Sequence, residues 1–199
     1  MPNQIVLASK SPRRIRMFEE QCIPVRVIPA EINEVRLPEE APVDFVRRLC
    51  GEKAMKVASN LSHTGETPWV VAADTIVVHD NRILGKPTDR NDARKMLREL
   101  SGCTHTVITG WTVGKTGEEW TVTHSQTQVT FHRLTDAEID AYVATGDADD
   151  KAGAYAIQEL GAFLVKEISG DFYNVVGLPI SQVVRALIGR GALKGFLET

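Results

Sequence analysis

Four short stretches of this chain carry residue types suited to a phosphorylated ligand, and the local pattern gives each a plausible way of presenting them. The first is Ser9-Lys10-Ser11-Pro12-Arg13-Arg14, directly after the apolar run Ile5-Val6-Leu7-Ala8. A loop that leaves a strand and enters a helix offers free N–H groups and the positive end of the helix dipole, which suits phosphate. Two hydroxyls and two guanidiniums strengthen that preference. Basic residues at a helix start oppose the dipole. Their presence favours a ligand-binding reading over an ordinary turn with solvated cations.

The second stretch is Asp74-Thr75, inside Val70-Val71-Ala72-Ala73-Asp74-Thr75-Ile76-Val77-Val78. A carboxylate in so apolar a strand is expected to be nearly buried, and burial without a partner is costly. Asp74 is therefore expected to face a cleft, a metal or a cation, the alternative being a solvated strand edge or bulge. The third is Gly85-Lys86-Pro87, a lysine in a stiff turn. Lys53, close to the apolar stripe of its own helix, either snorkels to solvent or reaches an anion in a site. Glu34 lies in an acidic loop and is uninformative by itself. The fourth stretch is Asp150-Lys151-Ala152-Gly153-Ala154-Tyr155-Ala156-Ile157-Gln158. Its small residues let backbone approach a flat ligand, and Gln158 offers a donor and an acceptor to the edge of a pyrimidine base. A packed turn explains the same residues equally well.

These residues need elements to hold them. Ile5–Ala8 reads as a buried strand, Arg13–Glu20 as a helix with Pro12 in its first turn, and Val25–Ile28 as a second strand stopped by Pro29. Residues 30–40 lack periodicity and read as a loop. Val43, Val46, Leu49, Cys50, Ala54 and Val57 recur at helical spacing from Pro42 to about Ser59. Trp69–Val78 is a long β-branched run interrupted at Asp74-Thr75. A turn at Asp80-Asn81 and a brief Ile83-Leu84 strand follow. A helix capped near Thr88 or Asp89 then runs to Leu100. Thr104–Val113 and Glu119–Phe131 form a hairpin. Thr135-Asp136-Ala137-Glu138 is a capping box. A strand over Ala162–Ile168, a turn and a final helix started by Pro179 complete an α/β chain of mixed strand direction.

Composition narrows the function classes. Lys and Arg number 23 against 26 Asp and Glu, a net charge of −3. That balance argues against broad nucleic-acid binding, which needs a basic surplus, but leaves room for a local basic cluster around a small anion. Cys22, Cys50 and Cys103 are odd in number and far apart, so reduced thiols in a cytoplasmic protein are expected rather than zinc ligands or disulfides. The N-terminal apolar run is too short for a signal peptide, and no stretch approaches the length of a membrane span. No P-loop, GxSxG elbow or plausible Ser/His/Asp set occurs. His63, His79, His105, His124 and His132 are scattered.

Taken together, LASKSPRR (7–14), GEKA (51–54), AADTIVV (72–78), GKP (85–87), LSGCTHTVITG (100–110), DKAGAYAIQ (150–158) and GDFYNVVGLP (170–179) resemble the Maf family of nucleotide pyrophosphatases. The stretches occur in family order across nearly the whole chain. The resemblance implies one Maf-like domain over residues 1–199: an elongated, mixed twisted α/β sheet with two lobes around a central cleft, often dimeric. It implies hydrolysis of a nucleoside triphosphate between the α- and β-phosphates with a divalent cation, Mg²⁺ or Mn²⁺. On that pattern Asp74 activates water. Ser9, Arg13, Arg14, Lys53, Thr75, Lys86 and Gln158 bind substrate, with Arg13, Thr75 and Gln158 at positions tied to substrate choice. Glu34 and Asp74 are the expected metal-side carboxylates, and for Asp74 the roles of base and metal ligand compete. The Ala156-Ile157-Gln158 form resembles the branch acting on dTTP and UTP, whereas the 7-methyl-GTP branch usually carries a Glu-containing segment there. Two positions depart from the pattern: Gln128, where Glu is common, and Glu159, where Gly is common. A 7-methyl-GTP or modified-nucleotide pyrophosphatase and a non-catalytic nucleotide-sensing division regulator are the alternative functions. The expected setting is a cytoplasmic homodimer whose partner is a small nucleotide, with neither nucleic acid nor membrane involved.

Overall fold

A computed structural model describes residues 4–194. Its elements are β1 (Ile5–Leu7), α1 (Pro12–Glu20), β2 (Val25–Val27), α2 (Pro42–Ser62), β3 (Trp69–His79), β4 (Arg82–Leu84), α3 (Arg90–Leu100), β5 (Thr104–Lys115), β6 (Thr121–Phe131), α4 (Asp136–Ala144), β7 (Val165–Ser169), α5 (Phe172–Val176) and α6 (Ile180–Gly189). Two 3-10 stretches, Ala152–Ala154 and Glu159–Leu164, precede β7. The strands form one sheet in the order β2-β1-β3-β5-β6-β7, with β4 also paired to β3. β1 runs parallel to both β2 and β3, while β3/β4 and β6/β7 are antiparallel. The expected mixed α/β sheet is therefore present.

The chain divides into two compact units. The first takes the residues up to Asp74, then Thr109–Ser125 and the chain from Gly177; the second takes Thr75–Ile108 and Gln126–Val176. The strands β3, β5 and β6 each contribute to both. Val6, Ala8, Ala54, Val57 and Val70 form the core of the first unit. Val77, Leu97, Leu100, Val107, Phe131 and Tyr142 anchor that of the second.

Local chemistry explains most boundaries. Proline opens α1 and α2, where its missing N–H costs nothing. The Asp89 side chain accepts from Asn91 and Asp92 N–H to start α3. The Thr135–Glu138 capping box forms as the sequence expects. Asp80 and Asn81 both take positive φ, 46° and 61°, turning β3 into β4. At Gly110 in β5, a Cβ would lie 2.3 Å from the Val46 carbonyl oxygen of α2, so only glycine lets the helix sit that close.

Three features differ from the sequence expectation. β3 runs unbroken through Asp74-Thr75, with Trp69 to Asp74 all buried. A strand covered on both faces reads as a continuous apolar run, and one polar residue within it does not end the ladder. The expected strand over Ala162–Ile168 begins only at Val165, because Glu159–Leu164 winds as 3-10. Periodicity cannot separate a short apolar strand from a short helix. The turn expected before the last helix contains α5. Asp171 Oδ1 accepts from Tyr173 N–H at 2.8 Å and from Asn174 N–H at 3.4 Å at its start.

Candidate functional site

The centre of the site in the first unit is a lysine between two carboxylates. Lys53, on the core-facing side of α2, donates from Nζ to Asp74 Oδ1 at 2.6 Å and pairs with Glu34 Oε1 at 2.8 Å. Lys53 is 8% exposed and Asp74 9%, so neither charge is solvated well enough to stand alone. Glu34 itself is exposed. An ammonium has three N–H donors, which leaves one for a further anion. Burial pushes the Asp74 carboxyl above its ordinary value, with Lys53 and Arg14 opposing the rise and Glu34 adding to it. Asp74 Oδ2 has no hydrogen-bond partner among the described residues. Burial also pushes the neighbouring Cys50 thiol up to about 12, which keeps it uncharged at neutral pH.

Arg14 ties three of the resembling stretches together. Its Nε donates to the Gly177 carbonyl at 2.8 Å, and its Nη1 donates to the Ala73 carbonyl at 2.8 Å and to Ser9 Oγ at 3.2 Å. Ser11 N–H also donates to Ser9 Oγ. Burial lowers the Arg14 guanidinium from its ordinary value, and Asp74 counters this. Arginine stays cationic through such a shift, so Arg14 supplies positive charge near Asp74 while bracing the backbone on either side of it. Arg13 is different: half-buried, it has no hydrogen-bond or ion-pair partner among the described residues. It stands in the first turn of α1, whose Ser11 N-cap makes no side-chain bond and whose first turn holds no acid. Uncapped N–H groups beside an unpaired guanidinium are suited to an anion.

Thr75, Lys86 and Gln158 belong to the second unit. Thr75 follows Asp74 on β3 and is partly exposed. Lys86 is exposed in the turn after β4. Gly153 N–H donates to the Gly85 carbonyl at 3.0 Å, joining that turn to the segment ending at Gln158. Gly153 and Ala154 have φ of 68° and 59°, the left-handed bend that the small residues make possible. Gln158 is half-buried and has no side-chain partner among the described residues. Of the two departures, Gln128 is exposed on β6 opposite Ser169, and Glu159 is exposed at a φ of 55°.

The family model described as "Maf-like protein" matches residues 4–189. The chain belongs to the Maf family. Its relatives include a protein of Geobacter sp. strain M21 named dTTP/UTP pyrophosphatase, 48% identical over 96% of this chain and 97% of that one. Proteins of the same name from Halalkalibacterium halodurans and Bacillus cytotoxicus are each 47% identical over 92% of this chain and 94% of theirs. A crystal structure titled nucleoside-triphosphatase / dITP/XTP pyrophosphatase, from Mycobacterium abscessus, aligns over 94% of this Maf chain and 95% of that one. Its identity is 13% and its TM-score 0.40.

Among the described residues no cluster of three or more His, Cys, Asp or Glu forms a ready metal cage. Glu34 and Asp74, both against Lys53, are the carboxylates of this site that could hold a divalent cation. Mg²⁺ is usually held by one or two carboxylates together with substrate phosphates and water, not by an all-protein cage.

Sequence reasoning missed the groups that hold these residues in place. Gly177 is within a resembling stretch, yet its use is a backbone carbonyl, which residue type does not reveal. Glu40 and Arg48, an ion pair joining the 30–40 loop to α2 (Oε1 to Nε, 2.6 Å), escaped because one is in a loop without periodicity and the other looks like any solvated helix residue.

Proposed function

We propose that this Maf protein is a nucleoside triphosphate pyrophosphatase that cleaves dTTP or UTP to the monophosphate and pyrophosphate. The observation that carries the reading is the buried Asp74 with one oxygen on Lys53 and the other unpartnered. Relatives named dTTP/UTP pyrophosphatase, 47–48% identical over nearly the whole chain, support it.

In this reading Asp74 Oδ2 accepts a proton from the water that attacks the α-phosphorus. Its raised pKa brings it closer to the range in which a general base is effective. Lys53 fixes the carboxylate through Oδ1 and presents its remaining N–H to a phosphate oxygen. Arg13 and the start of α1 bind phosphate, while Arg14 and Ser9 maintain the loop and the local positive charge. Stabilising the charge that develops on the leaving pyrophosphate and positioning the reactants supply most of the rate. A divalent cation, when bound, neutralises phosphate oxygens. Glu34 and Asp74 are the residues proposed to hold it, and Glu34 is the one left free once Asp74 serves as base. Thr75, Lys86 and Gln158 are proposed as substrate contacts on the resemblance, with Gln158 reading the base edge. A cytoplasmic homodimer, with neither nucleic acid nor membrane as partner, is part of the same proposal. No helix among the described residues is long and apolar enough to cross a membrane.

A panel of nucleoside triphosphates, including 7-methyl-GTP, assayed with Mg²⁺ or Mn²⁺ for pyrophosphate release, tests the substrate. The expected order places dTTP and UTP first, and Gln158→Glu lowers kcat/KM for both by about tenfold, the loss of one base-edge hydrogen bond worth ~1.4 kcal/mol. A preference for 7-methyl-GTP, or binding without turnover, overturns the reading.

A further inference from the structure

The acidic loop that carries Glu34 has no regular structure, yet it is fastened firmly to α2. Arg48 donates from Nε to Glu40 Oε1 at 2.6 Å and from Nη2 to Glu40 Oε2 at 2.8 Å, a bidentate pair. The same Nη2 donates to the Val35 carbonyl at 3.0 Å, and Nη1 donates to Glu52 Oε1 at 3.1 Å. Glu40 Oε2 in turn accepts from Leu37 N–H at 3.0 Å. The Arg48 guanidinium also lies 5.5 Å from the centroid of the Phe45 ring. The Glu40 side chain is only 8% exposed, unusual for a carboxylate in an irregular loop.

The arrangement has a direction. Val35, whose carbonyl Arg48 holds, is the residue after Glu34, and Glu34 reaches Lys53 on the same helix that carries Arg48. Without the clasp, an exposed glutamate on an unstructured loop would depend on its contact with Lys53, and an ion pair whose carboxylate is 55% exposed holds a loop weakly by itself. Lysine cannot substitute for Arg48, because an ammonium has no planar fork to engage two carboxylate oxygens and a carbonyl together.

We propose that Arg48 is a positioning residue: with Glu40 it clasps the 30–40 loop to α2 and so holds Glu34 at Lys53, ready for the cation that accompanies the triphosphate. The inference rests on the pyrophosphatase reading for its functional consequence, but not for the clasp itself.

Two measurements test it. Amide hydrogen exchange on the nucleotide-free protein compares wild type with Arg48→Met and Glu40→Gln. The clasp predicts at least tenfold faster exchange at Leu37 and through residues 33–38, with the cores of α2 and β3 unchanged. Kinetics then compare Arg48→Met, Arg48→Lys, Glu34→Gln and the double variant Glu34→Gln/Arg48→Met. Arg48→Met is expected to raise the Mg²⁺ concentration for half-maximal rate about tenfold, Arg48→Lys to recover only part of that, and the double variant to match Glu34→Gln alone. Such non-additivity is what residues acting through one another show. Unchanged loop exchange in Arg48→Met, or additive losses in the double variant, overturns the proposal. An inactive wild type overturns the pyrophosphatase reading instead, and the exchange comparison then decides the clasp by itself.

Discussion

At the scale of single residues, the account depends on how Asp74 is held. A buried carboxylate paired to a lysine is a common structural device, and removing one partner from such a pair is damaging. What distinguishes Asp74 is the division of labour between its oxygens: Oδ1 is fixed by Lys53, and Oδ2 is unpartnered among the described residues. The sign of the pH dependence follows from its raised pKa. As pH falls, Asp74 takes up a proton above the ordinary aspartate range, so the acid limb of kcat/KM is expected to be displaced to higher pH than for a solvated aspartate and to show a slope of one. Burial of the ionised form makes the same group's contribution to stability shrink as pH rises from the unfolded pKa through the folded one. Asp74→Asn is nearly isosteric and is expected to lower kcat by about 10²–10⁴-fold, the usual worth of a general base. It should leave a folded protein that still binds nucleotide. Measured kcat within a few-fold of wild type would remove Asp74 from the chemistry.

At the scale of elements, α2 has two contrasting glycines bearing on its packing. Gly110 on β5 has no room for a methyl group, since its Cβ would meet the Val46 carbonyl and the Arg47 backbone nitrogen. Gly51, in α2 itself, has nothing within 4 Å of its Cβ position. Gly110→Ala is therefore expected to lower unfolding free energy by about 1–3 kcal/mol through overpacking. Gly51→Ala should raise it by ~0.5–1 kcal/mol through helix propensity and reduced unfolded-state entropy. Urea unfolding of the two variants measures both signs, and equal effects would mean that α2 packs differently.

The elements also show what a single sequence makes legible. Strands, caps and α2 were readable because apolar period and turn chemistry are local. The burial of Asp74 was readable because its flanking residues are apolar and small. Lys53 was readable as poised near the apolar stripe, but not as the link between Glu34 and Asp74, residues 19 and 21 positions away. Arg14 was expected to bind phosphate; its bonds to the Ala73 and Gly177 carbonyls come from chain segments that no pattern joins. The 3-10 turn before β7 was hidden because six residues with a left-handed Glu159 at their start carry no period.

At the scale of the whole molecule, the near-neutral composition and the absence of a large basic surplus fit a protein that concentrates its positive charge locally. Arg13, Arg14 and Lys53 do so in the first unit, and Lys86 stands exposed in the second. The family match extends over residues 4–189 and so runs through residues of both compact units. The central claim is that water attacks the α-phosphorus and pyrophosphate departs. Turnover of dTTP with Mg²⁺ in ¹⁸O-enriched water, followed by ³¹P NMR and mass analysis, tests this most directly. The account predicts TMP carrying the ¹⁸O and unlabelled pyrophosphate, with both formed about 10²–10⁴-fold more slowly in Asp74→Asn. Formation of dTDP with labelled inorganic phosphate would contradict it.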